Sequence, residues 1–173
     1  MIYEWIAQRT NQNARKLAVL LLFGASALML FTVLIQGMPF RWVFQLIAVG
    51  LLIGMIFLVA RYESKLYFYR LERDGDEGID LTVTEANAKG RAQVTVCRIA
   101  LRQIRDCVSV DITKADGKEI LSVLKKEKKK RFDYCADYRP QKSILLLVEE
   151  GDEELAIRLS YDDRLFELLT NDA

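Results

Sequence analysis

Residues 17 to 60 carry a single charged side chain, Arg41. No other feature limits the fold as strongly. Leu17 to Ile35 runs nineteen residues without a charge. As a helix rising 1.5 Å per residue it spans about 28 Å, close to the roughly 30 Å hydrocarbon core of a bilayer. Val43 to Ala60 repeats the pattern with one Gln, Gln45, and no charge. One such segment also fits a buried soluble helix, and the first also fits a signal peptide. Two in succession across a short polar loop predict transmembrane helices. The first apolar run is also longer than a signal-peptide core.

Gly37-Met38-Pro39 lies between the spans, and Pro39 lacks the N–H that a helix interior requires. The connection is short enough to force an antiparallel hairpin. The expected organisation is an N-terminal cytoplasmic or interfacial segment over 1–16 and a first transmembrane helix over 17–35. An external loop over 36–42, a second helix over 43–60 and a cytoplasmic domain over 61–173 follow.

Lys and Arg near the span ends set the expected orientation. Arg9, Arg15 and Lys16 precede the first span, and Arg61, Lys65, Arg70 and Arg73 follow the second. The connecting loop has only Arg41. The expected localisation is the cell membrane, with two spans and both termini cytoplasmic. Trp42 and Tyr62 fall where interfacial aromatics belong. Ile2, Trp5 and Ile6 have helical spacing, which suggests a short helix resting on the inner interface.

Gly50 and Gly54 form a GxxxG pattern, and an antiparallel hairpin puts Gly54 about level with Gly24. Gly24, Gly50 and Gly54 are therefore candidates for helix packing, either within the hairpin or between chains. Gln45 points half a turn away from Gly54 and near the headgroup region. No ionisable residue lies at mid-membrane, so the usual mark of an ion or proton path is missing. The pattern reads as an anchor.

The remaining chain is written for water. Residues 61 to 173 hold 21 Lys or Arg and 23 Asp or Glu, a net of −2. There are no histidines. That removes the commonest general base and metal ligand, and with them any Cys–His nucleophile. Cys97, Cys107 and Cys135 match no zinc or CxxC spacing and read as reduced thiols. No catalytic residue, cofactor site or metal site is expected. The acidic turns at 74 to 77 and 149 to 154 lack the spacing of a calcium loop.

In this region apolar residues alternate with polar ones. Residues 66 to 73 read as a first strand. Ile79, Leu81 and Val83 mark a second, Ala92, Val94 and Val96 a third, and Val108, Val110 and Ile112 a fourth. Asp116-Gly117 marks a hairpin turn, with Ile120 to Leu124 following it. A segment around Phe132 to Tyr138 comes next. Ile144 to Val148 is continuously apolar and reads as a central strand, and Leu155, Ile157 and Leu159 alternate in a last one. Leu165, Phe166, Leu168 and Leu169 then lie on one helical face, after an N-cap candidate in Ser160 to Asp163.

This order resembles the pleckstrin-homology-like (PH-like) fold: an antiparallel barrel or bent sheet of about seven strands with a C-terminal capping helix. The whole chain is similar to uncharacterised bacterial membrane proteins in which a two-helix transmembrane hairpin precedes a PH-like cytoplasmic domain. The likeness rests on Ile79–Thr84, Val94–Ile104, the run Tyr134-Cys135-Ala136-Asp137-Tyr138-Arg139-Pro140, and Leu159–Leu169. It implies a non-enzymatic binding or scaffolding module. The acidic turn Asp74 to Glu77 departs from the basic first loop of phosphoinositide-binding PH domains.

Two surface features are partner candidates. Lys125, Lys126, Lys128, Lys129, Lys130 and Arg131 form a basic run suited to anionic lipid headgroups or a partner, or to a solvated hairpin tip. Tyr134, Tyr138 and Arg139 suit a partner surface, or strand and turn packing. The expected partners are the bilayer and a protein partner or a second copy, with no nucleic acid. An accessory subunit of a larger membrane complex is the alternative reading, and an enzyme acting on a membrane substrate is a third.

Overall fold

The computed structural model describes residues 2–35, 40–73, 78–87, 90, 92–114, 117, 119–120, 130–151 and 153–171. Its contacts divide into two units. Residues 11–65 form one, and residues 1–10 together with 66–173 form the other. The N-terminal residues therefore belong with the sheet-forming domain, on the far side of the hairpin in sequence.

The hairpin unit consists of α1 (Asn13–Leu34), α2 (Arg41–Leu58) and a π-helical turn over Val59–Glu63. Both helices are long and apolar enough to span a membrane, α2 counted through Glu63. Only 17% and 11% of their most apolar windows are buried. A soluble core helix would hide most of that surface; here Leu20, Phe23, Leu34, Ile53 and Phe57 stand exposed. The covered face of α1 runs through Ala14, Ala18, Leu21, Ala25, Leu28 and Thr32, with Leu17 and Gly24 half-buried beside it. Those six residues step alternately by four and three, the seam of a left-handed helix pair. Thr32 at its end is fully buried, and its hydroxyl donates to the Met29 carbonyl at 2.8 Å. In α2 the matching seam is Phe44, Ala48, Leu51, Met55 and Leu58.

Among the described residues, the second unit has eight strands in two four-stranded sheets. They are β1 (Tyr3–Ile6), β2 (Lys65–Arg73), β3 (Ile79–Asn87), β4 (Val94–Ala100), β5 (Ile104–Asp111), β6 (Lys130–Asp133), β7 (Lys142–Glu150) and β8 (Glu153–Ser160), followed by α3 (Asp163–Asn171). The strand orders are β1-β2-β3-β4 and β5-β7-β8-β6. A short 3₁₀ turn, Leu101–Gln103, carries the chain from one sheet to the other.

Alternation explains the core. Tyr67, Tyr69 and Leu71 of β2 and Leu81 and Val83 of β3 share one buried cluster with Ile144, Leu146 and Val148 of β7 and Leu155, Ile157 and Leu159 of β8. Leu165 and Leu169 of α3, both fully buried, join the same cluster. The continuous apolar run of β7 is central, as its sequence indicates: β5 and β8 flank it, and Leu145 on its second face packs with Val110 and Ala156. Asp162 accepts from the Leu165 amide at 3.0 Å and caps α3.

Three expectations are corrected. Ile2, Trp5 and Ile6 do not lie on an interfacial helix, because residues 3–6 form β1, antiparallel to β2, with Tyr3 opposite Leu71 and Ile6 opposite Phe68. Tyr3 and Trp5 face the core while Ile6 is exposed, which is a period of two. The strands number eight in two sheets, and they are not all antiparallel: β6 runs parallel to β8, Phe132 opposite Ile157. Ile120 lies in a helical turn. Asp116 and residues 121–124 lie outside the described residues, as do the loop at 36–39 and the acidic turn at 74–77.

Candidate functional site

The basic run falls mostly outside the described residues: Lys125, Lys126, Lys128 and Lys129 are not among them. Lys130 and Arg131 open β6 and are exposed. Lys130 pairs with Glu153 of β8 across the strand ladder. In the parallel register Lys130 and Phe132 share the inward face with Leu155 and Ile157, while Arg131 points the other way with Ala156.

Strands β4 and β6 are each a terminal strand of their sheet, and a groove of about 380 Å³ is lined by residues of both. Val96, Ile99, Tyr134 and Leu155 form its apolar wall; Arg98 and Glu150 stand among its charged residues. β4 shifts register between its pairings with Val83 and Thr84, leaving Val96 as the extra residue of a bulge. The Tyr134 hydroxyl donates to the Val96 carbonyl at 3.3 Å, covering one of the acceptors that a bare edge would expose. The Cys97 thiol also lines the groove, and burial, with Glu150 nearby, pushes its pKa up to about 11. It is a neutral thiol at physiological pH and a poor nucleophile.

A second cleft, about 480 Å³, is lined by more polar residues than the first. Trp5, Thr10, Asp111, Asp137, Lys142 and Tyr161 are among its lining residues. Several of its polar groups are engaged with one another or with the backbone. The Asp137 carboxylate is 5% exposed and accepts from the Thr10 amide, 2.9 Å to Oδ2, and from the Thr10 hydroxyl. Asp111 Oδ1 accepts from the Thr113 amide at 2.9 Å and hydroxyl at 2.6 Å, and those bonds hold its carboxyl below the usual range. The Lys142 ammonium sits 5.2 Å from the Tyr161 ring centroid. A cleft whose polar atoms already have internal partners serves the fold more readily than a ligand. Its chief element is the tie between Thr10, last residue before the hairpin unit, and the loop after β6. The sequence signal for it is the lone acid in Cys135-Ala136-Asp137-Tyr138, a carboxylate between buried residues.

The aromatic and arginine candidates do not form one patch. Tyr134 is half-buried. Its ring meets Phe132 at 6.4 Å, stacked, and Tyr67 at 6.0 Å, edge-on. Its amide donates to the Arg158 carbonyl at 2.9 Å. Tyr138 is also half-buried, and the Arg139 guanidinium lies 5.3 Å from its ring centroid. Of the three only Arg139 is exposed, at a left-handed φ of 55°.

The glycine candidates separate as well. A Cβ on Gly24 would meet Leu51 Cδ1 at 3.7 Å, and one on Gly54 would meet Leu21 Cδ1 at 3.7 Å. Each glycine therefore receives a leucine of the other helix, and the two glycines lie offset along the pair. Gly50 has nothing within 4 Å. Ala25 and Ala48 are the most completely buried residues of the pair beside Thr32, at 1% and 0% exposure.

No family model matches the chain, and no curated protein or solved structure matches it either.

Proposed function

We propose that this chain is a non-enzymatic membrane-anchored module. Its hairpin spans the cell membrane, and its PH-like domain is held at the inner surface to bind a protein partner or anionic lipid. One observation carries the reading. β1 precedes the hairpin and β2 follows it, yet the two strands pair from Tyr3–Leu71 to Ile6–Phe68. Strands that share a ladder lie on the same side of a bilayer. The chain between them must cross an even number of times, which is what two apolar helices supply.

Other features support the same reading. The exposed apolar surface of both helices needs lipid or protein around it. The excess of Lys and Arg at the helix ends nearest the domain in sequence favours a cytoplasmic location. Two sheets around one core, with a C-terminal helix packed into it, are compatible with a PH-like architecture. The groove lined by β4 and β6 is the surface best shaped for an extended partner segment.

Protease digestion of sealed native vesicles tests this, with tags at both termini of the full chain. Both tags are expected to be cut in inside-out vesicles and protected in right-side-out ones. Cleavage of the two tags from opposite sides would overturn the hairpin. Crosslinking in the same membranes then identifies the partner.

A further inference from the structure

The geometry points to an anionic phospholipid site built by the hairpin itself, at the end where its two chain termini meet. This inference rests on the transmembrane reading above. The leucine–glycine contacts fix the helix register: Leu21 is level with Gly54 and Gly24 with Leu51. Continued toward the N-terminus of α1, that register puts Arg15 and Lys16 level with Ala60 and Val59. Arg61 follows directly in the last helical turn, and Lys65 lies two residues after that turn ends at Glu63. Arg15 and Lys16 are exposed; Arg61 and Lys65 are half-buried.

Four cations thus gather at one end of a helix pair, against one acid there, Glu63. The opposite end has only Arg41. The π-helical turn Val59–Glu63 widens the backbone at this level. Arg61 lies 5.9 Å from the Tyr62 ring centroid, so an aromatic body backs the charge at the depth where headgroups begin. The first turn of α1 contains no acid to offset Arg15 and Lys16. A negatively charged surface attracts such a concentration of positive charge. Directly beyond these cations lies the exposed apolar surface of the two helices, Leu20, Phe23 and Phe57 among it. The complementary ligand is therefore an anion joined to acyl chains: the headgroup of an anionic phospholipid.

The test is native mass spectrometry of the detergent-solubilised full chain, with phosphatidylglycerol and phosphatidylcholine added in equal amounts. Wild type is expected to retain phosphatidylglycerol preferentially, and added salt should weaken that preference. Substitution of Arg15, Lys16, Arg61 and Lys65 by Gln should lower the bound ratio of anionic to zwitterionic lipid about tenfold or more. One control variant, Arg41→Gln at the opposite end of the helix pair, should keep the wild-type ratio. An unchanged ratio in the four-residue variant overturns the site, and so does an equal loss in Arg41→Gln. Carbonate extraction of the same variants from cell membranes keeps the two ideas apart. A chain that washes off refutes the anchor; a retained chain indifferent to lipid charge refutes only the site.

Discussion

The Tyr69 hydroxyl, rooted in β2, donates to the Tyr134 carbonyl at 2.8 Å. The same oxygen accepts from the Ser160 amide at 3.1 Å. Tyr69 is fully buried, so one phenol satisfies two backbone groups of the second sheet from within the first. Its ring also meets Trp5 of β1 at a centroid distance of 5.5 Å. Substitution Tyr69→Phe keeps the ring and strands both backbone groups. The expected loss is about 1–3 kcal/mol, the range for leaving buried polar groups unpaired. Urea denaturation of the full chain in detergent, followed by tryptophan fluorescence, measures it. A midpoint equal to wild type would mean that water replaces the hydroxyl.

The pairing of β1 with β2 makes the hairpin an insertion within a sheet. The ladder reaches Ala7, whose amide donates to the Tyr67 carbonyl at 2.8 Å. A loop of about two to five residues suffices to join such neighbours. Replacing residues 11–65 by a short Asn-Gly loop is therefore expected to give a soluble folded domain. Deleting residues 1–65 removes β1, the Tyr3 hydroxyl bond to Asp162 at 2.6 Å and the Thr10–Asp137 tie. That shorter chain is expected to unfold at lower urea or to aggregate through the exposed edge of β2. Size-exclusion chromatography and circular dichroism of the two chains decide the matter; equal behaviour would show β1 to be dispensable.

The contrast between these elements explains what was legible in the sequence. The two apolar helices were legible because each is a long run without charge. β2, β3, β7, β8 and α3 were legible because each is long enough to show its period. β1 was not: over five residues, Ile2, Trp5 and Ile6 fit a helical spacing as well as Tyr3 and Trp5 fit an alternating one. Only pairing with residues more than sixty positions away selects between them. β6 is Lys-Arg-Phe-Asp, with every residue exposed, so no buried face marks it. The seam of α1 was hidden for the opposite reason. A helix apolar on every side offers no contrast that would mark its alanine positions. The Thr10–Asp137 tie was hidden because it joins residues far apart in sequence.

The thiols give a pH dependence with a definite sign. Burial comes first in raising Cys97 and Cys107 to about 11 from an ordinary 9.0, with Glu150 and Asp106 adding to it respectively. Below about pH 9 both thiols are neutral in the folded and unfolded chain alike. Between about 9 and 11 the unfolded chain releases protons that the folded one keeps. Stability therefore falls as pH rises through that window. Tyr3 and Tyr69, also raised by burial, act in the same direction at higher pH. Thermal melts at pH 8 and pH 10.5 should show a lower midpoint at the higher pH. Iodoacetamide at pH 8 should label the native thiols about a hundredfold more slowly than the urea-unfolded chain. Equal labelling rates would mean that the thiols are open to solvent.

Alanine and glycine make opposite predictions in the hairpin. Ala48 is fully buried in the seam of α2, whereas a Cβ on Gly50 would meet nothing within 4 Å. Enlarging a filled seam position forces the helices apart, at a typical cost of about 1–3 kcal/mol. Ala48→Leu is therefore expected to lower the thermal midpoint of the full chain in detergent. Gly50→Leu adds apolar surface that lipid or detergent accepts and removes a flexible residue from a helix, so its midpoint should match or exceed wild type. If Gly50→Leu instead dissociates a dimer in crosslinking while leaving the monomer's melt unchanged, the GxxxG face joins two chains. If Gly50→Leu is the more damaging to the monomer, the seam assigned to Ala48 is wrong, and the glycines hold the hairpin together after all.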